Sequence, residues 1–285
     1  MATSIVAKGK TKTLESIPDE PDFIEAINWD QITAGDGARK DSFLRKGEFS
    51  TETNHHVFVL LQRCGVPVAY ESRTSLNSFR AQRCTMLPYE VVAMRSVTPA
   101  SSFRKRDPRL VPGTRLTQPQ TAFFLKTTDR RFGPYLFEKD DPFISSYGAG
   151  GIEVCRPDVP KGESAPTFVT TEELCGVGNP PHPYLKMDQM VRWVFLILES
   201  SWAMQGCTLC DIKIEFGFTT SGELVVADVI DNDSWRLLNE KGEHLDKQRY
   251  RDKDTPLEEV ARLYEEVAHR SRKLSQIDAE EWFFA

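Results

Sequence analysis

Apolar and charged positions alternate most sharply between Asp211 and Arg236. Ile212, Ile214 and Phe216 alternate with Asp211, Lys213 and Glu215. That is the period of a strand, and it puts an acid, a base and a second acid on one face. Thr220, Ser221 and Gly222 supply a turn. Residues 223–227 predict a returning strand that delivers Asp228, followed by Asp231, Asp233 and Arg236. A hairpin presenting Glu215 and Asp228 has the carboxylate oxygens to hold a hard divalent cation, with Lys213 beside them for a phosphate. A solvated sheet face would show the same alternation.

Residues 5–14 carry Lys8, Lys10 and Lys12 at period two around Gly9, which predicts a strand or hairpin. Residues 23–29, 66–71, 78–84 and 89–95 predict further strands. Residues 51–63 carry Val57, Phe58, Leu60 and Leu61 at helical spacing and stop at Gly65. Residues 104–119 are basic and broken by Pro108, Pro112, Gly113 and Pro119, marking a crossing between lobes. The expected division is an N-terminal lobe, 1–95, and a C-terminal lobe, 96–285. Residues 143–185 hold many glycines and prolines without periodicity, and are expected to form a functional lid or a partly disordered insert. Met187 to Met204 predicts an apolar core helix. Thr255-Pro256-Leu257-Glu258 predicts a capping box opening a last helix, with Leu257, Val260, Leu263 and Val267 on its buried face. The aromatic tail, 280–285, suggests no chemistry.

Composition narrows the functional classes. The 285 residues are 40% hydrophobic and 27% charged, ordinary for a globular protein, and the net charge of −6 gives no footprint for nucleic acid. No apolar run approaches the roughly 18 residues of a membrane span, and Met1-Ala2-Thr3-Ser4 does not begin a signal peptide, so a cytoplasmic protein without a membrane partner is expected. The six scattered cysteines are expected to be reduced. Cys207 and Cys210 have CxxC spacing, but no second CxxC or histidine pair accompanies them, which favours a structural role over metal or redox use. His55 and His56 suit surface or core equally.

Gly9-Lys10-Thr11-Lys12, the pair Glu215 and Asp228, and the late arginines Arg236 and Arg251 together suit a nucleotide site. Lysines on an N-terminal sheet can neutralise phosphates while carboxylates hold a bridging Mg²⁺. The P-loop pattern GxxxxGK[ST] is absent.

Seven blocks carry a resemblance: GKTK at 9–12, DQITAGDGARK at 30–40, MLPYEVVAMR at 86–95, SFRKRDP at 102–108, CTLCDIKIEFG at 207–217, ADVIDNDSWR at 227–236 and DKQRYRD at 246–252. In this order they resemble the phosphoribosylaminoimidazole-succinocarboxamide synthases, or SAICAR synthetases, and in wording the synthetase half of the bifunctional animal enzyme. The resemblance implies a two-lobed α+β fold of antiparallel sheets with packed helices and an ATP cleft. It implies a ligase that phosphorylates the carboxylate of carboxyaminoimidazole ribonucleotide with ATP and captures the acyl phosphate with L-aspartate. Carried over, Lys10 and Lys12 meet ATP phosphates, Met86 and Leu87 meet the adenine, and Glu215 and Asp228 bind Mg²⁺. Lys213 and Asp211 stand near the reacting groups. Asp36, Arg95, Ser102 and Arg236 hold the azole substrate, and Lys247 and Arg251 close over it. Lys8 and Lys105 fall outside the pattern. A homo-oligomer is also implied.

The chain departs from the family in places. Ala122 stands where the family has glutamate, and Lys126-Thr127-Thr128-Asp129 stands where Lys-Asp-Asp is expected. Ser101 replaces a glycine, Ser96 follows Arg95, and the helix asparagine is replaced near Thr51. Two alternatives therefore stand beside the ligase of purine synthesis. One is a specialised paralogue working on another azole nucleotide in nucleoside-antibiotic assembly; the other is a non-catalytic nucleotide-binding protein.

Overall fold

The computed structural model describes residues 3–277, apart from 36, 100, 139–140, 161, 164, 177–181 and 253 and the side chain of Ser102. The aromatic tail lies outside the described residues. The chain divides into two compact units, and not at a single boundary near residue 95. The first takes Met1–Met86, Leu196–Leu209 and Phe216–Ala285; the second takes Leu87–Phe195 and Cys210–Glu215.

The first unit opens with β1 (Ile5–Lys8), β2 (Lys12–Ile17) and β3 (Glu20–Asn28), a meander whose first turn is closed by Gly9 N–H on Lys12 O at 2.9 Å. A separate hairpin, β4 (Gln31–Ala34) and β5 (Arg39–Ser42), leads into helix α1 (Lys46–Arg63). β6 (Tyr70–Arg73) and β7 (Ser78–Gln82) complete an antiparallel sheet of order β1-β2-β3-β7-β6. Residues 66–69, expected as strand, form an isolated bridge from Val68 to Val226, and Gln82 N–H of β7 donates to Ala69 O at 2.7 Å.

Helix α1 starts five residues earlier than its apolar periodicity predicts. Its cap comes from far upstream: the Asp30 carboxylate accepts from Arg45 N–H at 3.1 Å and Gly47 N–H at 2.9 Å. Gly47 is required there, since a Cβ would lie 2.6 Å from Asn28 O. The predicted face, Val57, Phe58, Leu60 and Leu61, is fully buried.

Past β8 (Cys84–Met86) the second unit begins with β9 (Tyr89–Ser96), α2 (Ser102–Arg106) and β10 (Arg115–Leu125). Residues 104–119, expected as a crossing between lobes, thus belong to one unit. Strand β10 accommodates Pro119 at a register shift between Arg115 and Gln120, where no ladder hydrogen bond is demanded of it. A small hairpin, β11 (Arg131–Phe132) and β12 (Tyr135–Leu136), precedes β13 (Phe143–Gly148), β14 (Gly151–Cys155), β15 (Thr167–Thr170) and α3 (Thr171–Cys175). These overturn the reading of 143–185 as an irregular insert. The glycines at 148 and 151 are the turn of a hairpin, and a Cβ on Gly151 would meet Val169 O at 2.2 Å. Helix α3 opens on a true capping box between Thr170 and Glu173.

Helix α4 (Tyr184–Ala203) buries Met187, Val191, Val194, Leu198 and Trp202 completely. β16 (Thr208–Thr219) pairs through Asp211–Ile214 with β9, extending the order β15-β14-β13-β10-β9-β16. Its far end, in the first unit, pairs with β8 and turns through Gly222 into β17 (Leu224–Ala227). β18 (Trp235–Leu238), α5 (Gln248–Arg251) and α6 (Leu257–Ser271) follow. The capping box expected at Thr255 is not made: Pro256 is the N-cap, without a side-chain cap bond. Val260, Tyr264 and Ala268 pack with Ile32, Phe43, Phe49 and Tyr250, while Leu263 is only partly buried. All six cysteines are free thiols. Among the described residues no helix is long and apolar enough to cross a membrane.

Candidate active site

The acid–base–acid row of β16 is a packed charge ladder, not a solvated face. Lys213 Nζ donates to Glu90 Oε1 on β9 at 2.9 Å and to Glu215 Oε1 at 3.1 Å. The other Glu215 oxygen takes Lys126, just past β10, at 2.5 Å. The order Glu90–Lys213–Glu215–Lys126 alternates in sign across three strands, so each buried charge has a counter-charge on either side or at the rim. Burial works against charging Lys213, but Glu90 and Glu215 outweigh it and hold its pKa above the ordinary lysine value. Burial likewise opposes Glu215, yet Lys213 and Lys126 hold it below the usual carboxylate range. Asp211 lies buried two residues before Lys213 on the same strand.

In the first unit Lys12 forms an ion pair with Asp228. Asp228 sits directly after β17 with φ 65°, a left-handed conformation that an L-residue adopts at a cost of about 1–2 kcal/mol. Such strain is typical of functional positions. Lys10 is exposed at the β1–β2 turn, and its carbonyl accepts from Gln31 Nε2 at 2.5 Å. That turn and the β4–β5 hairpin line an open cavity of about 420 Å³ with Lys8, Lys10, Lys40 and Trp29 on its walls. Lys8, expected to be a plain surface residue, lies 5.2 Å over the Trp29 ring.

A second cluster in this unit surrounds Asp233. Lys46 and Lys247 reach its Oδ2 at 3.5 Å and 3.2 Å, and the Tyr264 hydroxyl donates to Oδ1. Asp231 stands 3.9 Å from Lys46. Burial would raise Asp233, but Lys46 and Lys247 hold it well below the usual range. Burial pushes Lys247 down, with Asp233 opposing and Lys46 adding to the fall. Arg236 is half-buried on β18, and Arg251, on α5, donates to Gln248 Oε1 at 3.4 Å.

The remaining predicted residues are scattered. Met86 is 43% exposed at the end of β8, whereas Leu87 is buried at 4%. Arg95 donates to Thr117 O at 2.6 Å. Ser102 is the first residue of α2, and Ser101, its N-cap, accepts from Phe103 N–H at 3.3 Å. Asp36 lies outside the described residues. Glu215 and Asp228 fall in different units, each against its own lysine. Among the described residues no three histidines, cysteines or acids converge as a metal cage. A carboxylate such as Glu215 or Asp228 is the kind of donor that Mg²⁺ takes, one or two at a time beside phosphate and water.

The family model for SAICAR synthetase matches residues 5–141 and 164–271. The chain belongs to the SAICAR synthetase family. It is 38% identical over 272 residues to a phosphoribosylaminoimidazole-succinocarboxamide synthase of Roseiflexus sp. (strain RS-1), covering 93% of this chain and 95% of that one. It is 35% identical to the multifunctional protein ADE2 of Gallus gallus, over 93% of this chain and 57% of the longer animal protein. Among solved structures, a SAICAR synthetase in complex with ADP superposes with a TM-score of 0.72 at 24% identity, over 93% of this chain and 96% of that one. The α+β fold is therefore that of the SAICAR synthetases.

Within this SAICAR synthetase fold, four residues that sequence reasoning did not single out occupy the clusters: Lys46, Glu90, Lys126 and Tyr264. Glu90 could have been found, because MLPYEVVAMR places it on a strand neighbouring Lys213. Lys46 and Tyr264 could not, since each meets Asp233 from nearly 200 or about 30 residues away.

Proposed function

We propose that this chain is the ATP- and Mg²⁺-dependent ligase that joins L-aspartate to carboxyaminoimidazole ribonucleotide in purine synthesis. Its match along nearly the whole length of synthases bearing that name supports this most directly. Those relatives favour neither a specialised azole ligase nor a non-catalytic binder.

The chemistry has two displacements. A carboxylate oxygen attacks the γ-phosphorus and ADP leaves; the aspartate amine then attacks the acyl carbon, phosphate leaves, and the nitrogen gives up a proton. A carboxylate does not acylate an amine until it is phosphorylated, and phosphoryl transfer demands charge neutralisation and alignment above all. Lys10 and Lys12 supply positive charge for the ATP phosphates, and Met86 and Leu87 flank the adenine. Glu215 and Asp228 would hold Mg²⁺, whose charge would offset that of the phosphates. The ion pairs of Lys12 with Asp228, and of Lys126 and Lys213 with Glu215, keep each lysine charged and held before substrate arrives. Lys213, held protonated by Glu90 and Glu215, faces the developing charge, with Asp211 beside it on β16. Arg95, Ser102 and Arg236 take the ribonucleotide, Arg236 through a fork suited to phosphate. Lys247, tethered to Asp233, and Arg251 complete the anionic pocket together with Asp36. We infer that the work is done in the cytoplasm, where ATP and ribonucleotides are both available.

The test is coupled ADP release with carboxyaminoimidazole ribonucleotide, L-aspartate and Mg·ATP, with mass detection of the amide. Turnover that depends on all three supports the assignment, and its absence under saturating substrates refutes it.

A further inference from the structure

The match to the SAICAR synthetase model stops at residue 141 and resumes at 164, so β13 and β14 fall outside the matched segments. Their first residue, Phe143, pairs with Phe124 of β10, the rings meeting edge-on with centroids 6.0 Å apart. It also receives a cation. The Arg106 guanidinium lies 3.6 Å from the Phe143 ring centroid, 4.8 Å from that of Phe103 and 5.5 Å from that of Phe124. Nη1 of Arg106 is buried without a hydrogen-bond partner among the described residues. Burial pulls Arg106 down to about 10, so the guanidinium remains charged at neutral pH with phenyl faces as its surroundings.

Arg106 is the last residue of α2, and Ser102 is the first. A five-residue helix is far too short to be stable alone and takes its position from its anchors. At the start, Ser101 caps Phe103 N–H, and Phe103 packs with Met94, Val97 and Phe124. The far end is held through the Arg106 stack, and the shortest member of that stack comes from the extra hairpin.

We propose that Phe143 is a positioning residue: stacked on Arg106, it fixes α2 and with it Ser102 in the ribonucleotide phosphate site. This rests on the reading that Ser102 holds that phosphate. The hairpin β13–β14 is then a brace for substrate binding that lies outside the matched family segments. Losing the ring removes the nearest of the three phenyl faces around the buried guanidinium and leaves Phe103 and Phe124 farther off, so the end of α2 loosens as the charge turns towards water.

Phe143→Leu keeps an apolar side chain and removes the ring; Phe143→Tyr keeps the ring. Hydrogen exchange of the 103–107 amides in the full chain should be about tenfold faster in F143L and near wild type in F143Y, the ratio expected of one desolvated cation–π contact. The KM for carboxyaminoimidazole ribonucleotide should rise about five- to tenfold in F143L, with kcat and the KM for ATP unchanged. Unchanged exchange and KM in F143L would overturn the proposal. So would a parallel rise in both KM values with faster exchange throughout the chain, which marks general destabilisation. If wild type does not turn over the ribonucleotide, the functional reading fails, while exchange at α2 still decides whether Phe143 holds that helix.

Discussion

Lys12 and Asp228 are ion-paired, joining the β1–β2 hairpin to the residue that leaves β17 in a left-handed conformation. The pair unites a lysine proposed for phosphate with a carboxylate proposed for the cation. K12M and D228N should each lower kcat by about a hundredfold or more, the range seen when one preorganised electrostatic group is removed. The double variant should lose much less than the product of the two, because the residues act as a unit. Strict additivity in ADP-release assays would show that they act separately.

Glu90 is proposed to act through Lys213. Lys213 is raised above its ordinary 10.5 in the folded chain, so the pairing stabilises fully below that value and is lost as pH climbs through the folded pKa. Removing one of its two acids in E90Q lowers that pKa. The ¹⁵N-labelled Lys213 ammonium, followed by NMR, should therefore begin to lose its proton at lower pH in E90Q than in wild type. An unchanged titration with lower activity would mean Glu90 serves packing alone.

His56 predicts a pH-dependent loss of stability at mild acidity. Burial, with His55 beside it, pulls its pKa down to about 4, while Nδ1 shares a 2.8 Å hydrogen bond with Ser275 Oγ. The unfolded chain then binds the proton more readily, so stability falls as pH drops from 6.5 towards 4. The full shift corresponds to about 3 kcal/mol, reduced to about 1–2 by partial exposure. Denaturant midpoints for wild type and H56Q should converge as pH falls from 7 to 4.5. Parallel curves would contradict the assignment.

Gly47→Ala should destabilise the first unit by about 2 kcal/mol or more, because the new Cβ would overlap the Asn28 carbonyl and the peptide after it. A wild-type melting temperature in G47A would show that the helix start shifts freely.

That helix start also shows where the sequence stopped being legible. The β16–β17 hairpin was readable because strand alternation and its turn residues lie within one short segment. The start of α1 was not, since Asp30 caps it from 15 residues upstream of Arg45, beyond any local pattern. β10 was obscured by Pro119, which a register shift accommodates. The glycines around 148–151 suggested irregularity, yet they are turn residues between paired strands. Within the candidate site, the β16 row and the lysine turn were visible as motifs. The partners that set the charge of the β16 row, Glu90 on β9 and Lys126 just past β10, emerge only once the sheet order is known.

The reaction proposed for this chain phosphorylates one particular carboxylate and passes it to aspartate. ¹⁸O-labelled carboxyaminoimidazole ribonucleotide carboxylate, incubated with L-aspartate and Mg·ATP, reads that step. The released phosphate should carry one ¹⁸O, with the succinocarboxamide as the other product. Phosphate without label, or ATP hydrolysis without amide, would contradict it.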